Sequence, residues 1–150
     1  MHAAIMLSGT PDDRALLDEA EASLRARRAT VLRLEGVDLV VLAGLLSLSR
    51  LLLTGDTGPM HLAAAVGTPV LAVFGPSMPW RYAPLIEPHR IVRVDLTCSP
   101  CNRIRLPPER CCGHVPDCLD QVTTEAVIAA GRELLGSRGG GPPAAPGRTC

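Results

Sequence analysis

The stretch Thr54-Gly55-Asp56-Thr57-Gly58-Pro59-Met60-His61 joins a strand-like run, Leu51-Leu52-Leu53, to a helix-like run, Leu62-Ala63-Ala64-Ala65-Val66. It combines residues small enough for a backbone to approach a ligand with a hydroxyl, a carboxylate and an imidazole. The N-terminus of a helix presents unpaired N–H groups and a partial positive charge, which together suit a phosphate. Pro59 fits the first helical position, where a missing N–H costs nothing. That placement makes Gly58 the N-cap and puts His61 in the first turn, near any anion held there. The turn therefore reads as a cradle for a phosphate or pyrophosphate.

The flanking sequence alternates strand and helix signals. Ala3 to Leu7 reads as a buried strand ending at Ser8-Gly9-Thr10-Pro11. Asp12 to Arg28 reads as a helix with Leu16, Ala20 and Leu24 on one stripe and Leu17 beside it. Its acids fall early and its bases late, as the helix dipole prefers. Thr30 to Leu34 gives a second strand, Val37 to Ser49 a largely buried helix and Arg50 to Thr54 a third strand. Pro59 to Val66 follows as a helix with Gly67 as its C-cap. Pro69 to Phe74 and Arg90 to Val94 give two more strands. A last helix, Thr123 to Leu135, is capped by Thr123 or Thr124. Strands separated by helices predict an α/β fold, with a Rossmann-like parallel sheet covered by helices on both faces. In such sheets ligands sit beyond the carboxyl ends of the strands, which is where the Asp56–His61 turn falls.

Composition excludes some functions. The chain of 150 residues has zero formal net charge, and its fifteen cations are all arginine. That balance argues against a nucleic-acid binder relying on a basic surface. The longest nearly uninterrupted apolar run, Leu39 to Ser49, is too short to span a bilayer. Met1 to Gly9 lacks the cationic start and long apolar core of a secretion signal. A cytoplasmic protein is expected. Residues 137–150, rich in Gly and Pro, cannot bury much apolar surface and are expected to form a disordered tail.

A second constellation lies in the Cys/Pro/Arg-rich loop 96–118. Cys98-x-x-Cys101, Cys111-Cys112 and Cys118 are spaced to supply thiolates to Zn or Fe, with Cys98, Cys101, Cys112 and Cys118 as the candidate set and His114 as a substitute. The plainer alternative is a reduced, packed loop, since a cytosolic compartment disfavours stable disulfides.

Asp56-Thr57-Gly58-Pro59-Met60-His61-Leu62-Ala63-Ala64-Ala65, then Gly67-Thr68-Pro69 and Phe74-Gly75-Pro76-Ser77, resembles the donor-site signature of glycosyltransferase family 9, the ADP-heptose:lipopolysaccharide heptosyltransferases. The resemblance runs from about Ile5 to about Leu135. It implies the C-terminal, donor-binding domain of a GT-B fold, here residues 1–136. By the same resemblance, Asp56, Thr57, Gly58 and His61 meet the donor diphosphate. Asp12 or Asp13 lies near the place of an acidic residue for the nucleoside ribose. No cofactor is required. The donor would be ADP-L-glycero-D-manno-heptose and the acceptor the lipopolysaccharide core, reached by peripheral association with the cytoplasmic face of the inner membrane. Ser77 to Tyr82, with Trp80 and Arg81, is chemically suited to contact the sugar or a partner domain.

The family's acceptor domain and its catalytic Asp have no counterpart in these residues. The expectation is therefore a C-terminal half, from a truncated gene, a split gene or an internal start, that binds donor weakly and transfers nothing alone. Two other classes stay open: a nucleotide-binding module without chemistry, and a metal-stabilised structural module centred on the cysteines. Duller roles for the turn also stay open, with Asp56 or Thr57 merely capping the helix and Asp12 and Asp13 serving as first-turn acids.

Overall fold

The structure, a computed structural model, describes residues 4–102, 111 and 116–136. It comprises two compact units that divide between Leu42 and Ala43.

In the first unit, strand β1 (Ala4–Gly9) pairs in parallel with β2 (Thr30–Glu35), in register from Ala4↔Thr30 to Gly9↔Glu35. A 3₁₀ turn (Pro11–Asp13) and helix α1 (Arg14–Ala26) connect them. Helix α1 crosses the face of β2 that carries Arg33 and Glu35. Arg33 bonds Asp18 and Glu21, and Arg14 bonds Glu35. Most of the expected apolar stripe faces inward, and Leu16 is the exception. Leu17 is 7% exposed whereas Leu16 is 68% exposed. The inward positions are Asp13, Leu17, Ala20, Glu21 and Leu24, which satisfy helical spacing. Gly9 makes the corner possible, because a Cβ there would lie 3.1 Å from both Asp13 Cβ and Leu17 Cδ1.

Helix α2 (Leu39–Ser47) starts at Asp38, whose carboxylate accepts from the N–H groups of Val40 and Val41 at 2.8 and 2.9 Å. The expectation of a largely buried helix fails. Only Leu42 and Leu46 are buried, while Val40 is 82% exposed and Leu48, just beyond the helix, 84%. High hydropathy all round gave no information about which side would be covered.

The second unit holds a three-stranded parallel sheet of β3 (Leu52–Gly55), β4 (Val70–Val73) and β5 (His89–Val92), in that order. The described strands thus pair as two parallel sheets, not as one continuous sheet. Helix α3 (Gly58–Ala65) connects β3 to β4, and α4 (Pro79–Tyr82) follows β4. Helices α5 (Asp117–Asp120) and α6 (Thr124–Gly136) come last. Val70, Leu71 and Ala72 are all buried, so both faces of β4 are covered, as its unbroken apolar sequence predicts. Gly131 lets α6 settle on the sheet, since a Cβ there would lie 3.4 Å from Leu71 Cδ2. Thr123 caps α6 by accepting from the N–H of Ala126 at 3.2 Å.

Helix α3 starts and ends one residue earlier than expected. Its N-cap is Thr57 rather than Gly58, and its C-cap is Val66 rather than Gly67. Gly67 takes the next position with φ +80°, the left-handed conformation that ends helices. The buried Thr68 then donates its hydroxyl to Leu46 O at the end of α2. The expected tail, residues 137–150, lies outside the described residues.

Candidate functional site

The turn singled out from the sequence sits at the carboxyl end of the second unit's sheet. Gly55, the last residue of β3, pairs with Val73, the last of β4, and Val73 pairs with Val92. All three strands therefore end at one level. Asp56 and Thr57 make the turn, and α3 begins at Gly58.

Thr57 has the extended backbone of an N-cap, φ −141° and ψ 164°, but its side chain makes no capping bond. Its hydroxyl lies 2.9 Å from that of Thr54 instead. Asp56 does not cap the helix either, and its carboxylate has no partner among the described residues. The capping role that would make these side chains merely structural is thus absent. Met60 N–H bonds Thr57 O at 3.1 Å and Pro59 has no N–H, while the N–H groups of Thr57 and Gly58 bond no backbone carbonyl among the described residues. A Cβ built on Gly58 meets nothing within 4 Å, so packing does not require glycine there. His61, exposed in the first turn of α3, likewise has no hydrogen-bond partner among the described residues. The turn therefore gathers two free N–H groups, a hydroxyl, an imidazole and a carboxylate, over open space at a helix N-terminus. That set can hold a phosphate chain and the hydroxyls attached to it.

The neighbouring turn, Phe74-Gly75-Pro76-Ser77, leaves β4 at the same level and is held from behind. The buried Ser99 donates its hydroxyl to Gly75 O at 2.9 Å, and Asn102 N–H donates to Pro76 O at 2.7 Å. A Cβ on Gly75 would lie 2.7 Å from Leu119 Cγ and 3.3 Å from Cys118 Sγ. The cysteine-bearing segments are thereby packed against this turn. No sequence signal pointed to Ser99, because its partner is 24 residues away.

Asp12 and Asp13 belong to the first unit. The Asp13 carboxylate accepts from both the N–H and the hydroxyl of Thr10, each at 2.8 Å. These bonds, the backbone one foremost, hold it below the usual carboxylate range. Asp13 is thus engaged at the helix start. Asp12 is exposed, with no partner among the described residues.

Of the candidate metal set, Cys98 and Cys101 are exposed and Cys118 is buried, all as free thiols. Burial, reinforced by the nearby Cys101 and Cys98, pushes the Cys118 thiol up. Among the described residues no three His, Cys, Asp or Glu side chains are grouped to hold a metal. Cys112 and His114 lie outside the described residues. No helix among the described residues is long and apolar enough to cross a membrane.

The chain is similar to known proteins. The profile of glycosyltransferase family 9 (heptosyltransferase) matches residues 2–110. Lipooligosaccharide heptosyltransferase 2 of Campylobacter jejuni is 33% identical over 90 residues, covering 57% of this chain and 25% of that protein. Lipopolysaccharide heptosyltransferase 2 of Escherichia coli K12 is 38% identical over 50 residues, covering 33% and 14%. Among solved structures, the ADP-heptose lps heptosyltransferase II of E. coli superposes with a TM-score of 0.71 at 25% identity, over 89% of this chain and 37% of that one. A family 9 glycosyl transferase from Veillonella parvula shares the fold, with a TM-score of 0.64 over 88% of this chain and 36% of that one. The chain thus spans about a quarter or less of the curated relatives it matches.

Proposed function

The chain belongs to glycosyltransferase family 9, the heptosyltransferases, and from that premise we propose that it is the donor-binding half of such an enzyme. The observation that carries this reading is the turn from β3 into α3, with its unpartnered donors over open space. In this reading the N–H groups of Thr57 and Gly58 and the Thr57 hydroxyl hold the diphosphate of ADP-heptose. The Asp56 carboxylate would repel the phosphates, so its natural partner is a hydroxyl of the attached sugar.

Transfer requires an acceptor hydroxyl to attack the anomeric carbon while the bond to the nucleoside diphosphate breaks. The electron pair moves onto the β-phosphate oxygen, and His61 and the helix N-terminus stabilise that charge. Attack from the face opposite the leaving group inverts the anomeric centre. The general base and the lipopolysaccharide acceptor site are assigned to a second, acceptor-binding half. Because the donor is a nucleotide sugar and the acceptor lipid-anchored, the reaction belongs at the cytoplasmic face of the inner membrane.

Isothermal titration with ADP tests the reading. Binding that weakens at least tenfold in His61→Ala, with folding preserved, supports it. Absence of heat at millimolar ADP refutes it.

A further inference from the structure

The chain has three aromatic residues, Trp80, Tyr82 and Phe74. Phe74 is fully buried and Tyr82 half-buried, whereas Trp80 is 74% exposed. Trp80 sits in α4, directly beyond the turn that leaves β4. Because Gly55 and Val73 are paired, that turn and the Asp56–Thr57 turn leave neighbouring strands side by side, about 4.8 Å apart at the sheet.

The segment carrying Trp80 is also fixed in place. Ser99 and Asn102 hold Gly75 O and Pro76 O, and Ser77 is buried. Arg81 N–H and Tyr82 N–H both close onto Met78 O, at 3.0 and 3.1 Å. The Arg81 guanidinium lies over Tyr82, 5.4 Å from the ring centroid. Trp80 is left with no ring or cation neighbour among the described residues. A largely exposed indole held at the ligand end of a parallel sheet is suited to stack on a flat heteroaromatic ring.

We propose that Trp80 is the platform on which the nucleobase of the bound nucleoside diphosphate stacks. The proposal rests on the donor reading above and adds the contact that recognises the base. Trp80 is the only tryptophan of the chain, so fluorescence excited at the red edge, where Tyr82 does not absorb, reports on it alone. Titration of the 150-residue chain with ADP is expected to quench or shift the emission, and titration with pyrophosphate to leave it unchanged while still binding by calorimetry. Trp80→Ala is expected to weaken ADP roughly tenfold, with pyrophosphate affinity unaltered, and Trp80→Phe to retain most of the ADP affinity. ADP that binds without altering the emission, and equally well in Trp80→Ala, overturns the proposal and leaves the donor site standing. An equal loss of ADP and pyrophosphate affinity in Trp80→Ala also overturns it, because the effect would not involve the base. Failure of both ligands to bind overturns this proposal and the donor reading together.

Discussion

The hydroxyl of Thr57 lies 2.9 Å from the hydroxyl of Thr54, linking the N-cap of α3 to the last residues of β3. A hydroxyl carries one proton and two lone pairs. If Thr54 donates to Thr57, the Thr57 proton is free for an incoming phosphate oxygen. Thr57→Val removes that donor at nearly constant volume, and hydrogen bonds to charged groups contribute about 1.5–3 kcal/mol. ADP affinity is expected to fall at least tenfold in Thr57→Val. Thr54→Val, which removes only the orienting partner, is expected to have a smaller effect. Calorimetric titration of the two variants measures both.

Gly58 and Gly75 are glycines for different reasons, and alanine separates them. A Cβ at Gly58 enters open space, but one at Gly75 lies 2.7 Å from Leu119. Gly58→Ala is expected to leave thermal stability unchanged within ~0.5 kcal/mol while lowering ADP affinity, because the methyl group occupies ligand space. Gly75→Ala is expected to cost about 1–3 kcal/mol by overpacking. Thermal melts with and without ADP distinguish the two.

The cysteines are expected to differ in reactivity. Cys98 and Cys101 are exposed, while Cys118 is buried against Gly75 with its thiol pushed up by burial. Only a thiolate reacts with an alkylating agent. At mildly alkaline pH, iodoacetamide is expected to label Cys98 and Cys101 well before Cys118, which becomes reactive on denaturation. Timed labelling read by peptide mass spectrometry checks the order.

Acid should weaken the first unit through carboxylates held low by their partners. Asp13 is held by Thr10, Glu35 chiefly by Arg14 and Glu21 chiefly by Arg25. A carboxylate with a lowered folded pKa stabilises the native state above its unfolded pKa, about 4. That contribution disappears as pH falls through the folded value. The stability difference between wild type and Asp13→Asn is therefore expected to be constant above about pH 5. It should shrink as pH drops below about 4. Urea titrations at a series of pH values measure the difference.

How much of this was legible in the sequence depended on whether the deciding contact was local. The unbroken apolar run around Val70–Val73 announced a strand buried on both faces, and the strand–turn–helix at Asp56–His61 was plain from Gly, Pro and the flanking leucines. The exact helix start was not, because Thr57 and Gly58 are both good N-caps. On α1 the sequence leaves Leu16 and Leu17 equivalent, because each completes a helical stripe with Ala20 and Leu24, and only Leu17 is buried. Arg33 pairs with Asp18 and Glu21 across to β2, contacts that periodicity does not contain. The same holds for Ser99 on Gly75 and Thr68 on Leu46, bonds between residues more than twenty positions apart. The two hydrogen bonds from Thr10 to the Asp13 carboxylate likewise needed coordinates.

If the start of α3 holds a diphosphate, the backbone amides there report on it directly. In ¹⁵N-labelled protein titrated with ADP and then with pyrophosphate, Thr57, Gly58 and His61 are expected to show the largest amide shifts with both ligands. Saturating shifts located elsewhere, or none at millimolar ligand, would contradict a diphosphate site there.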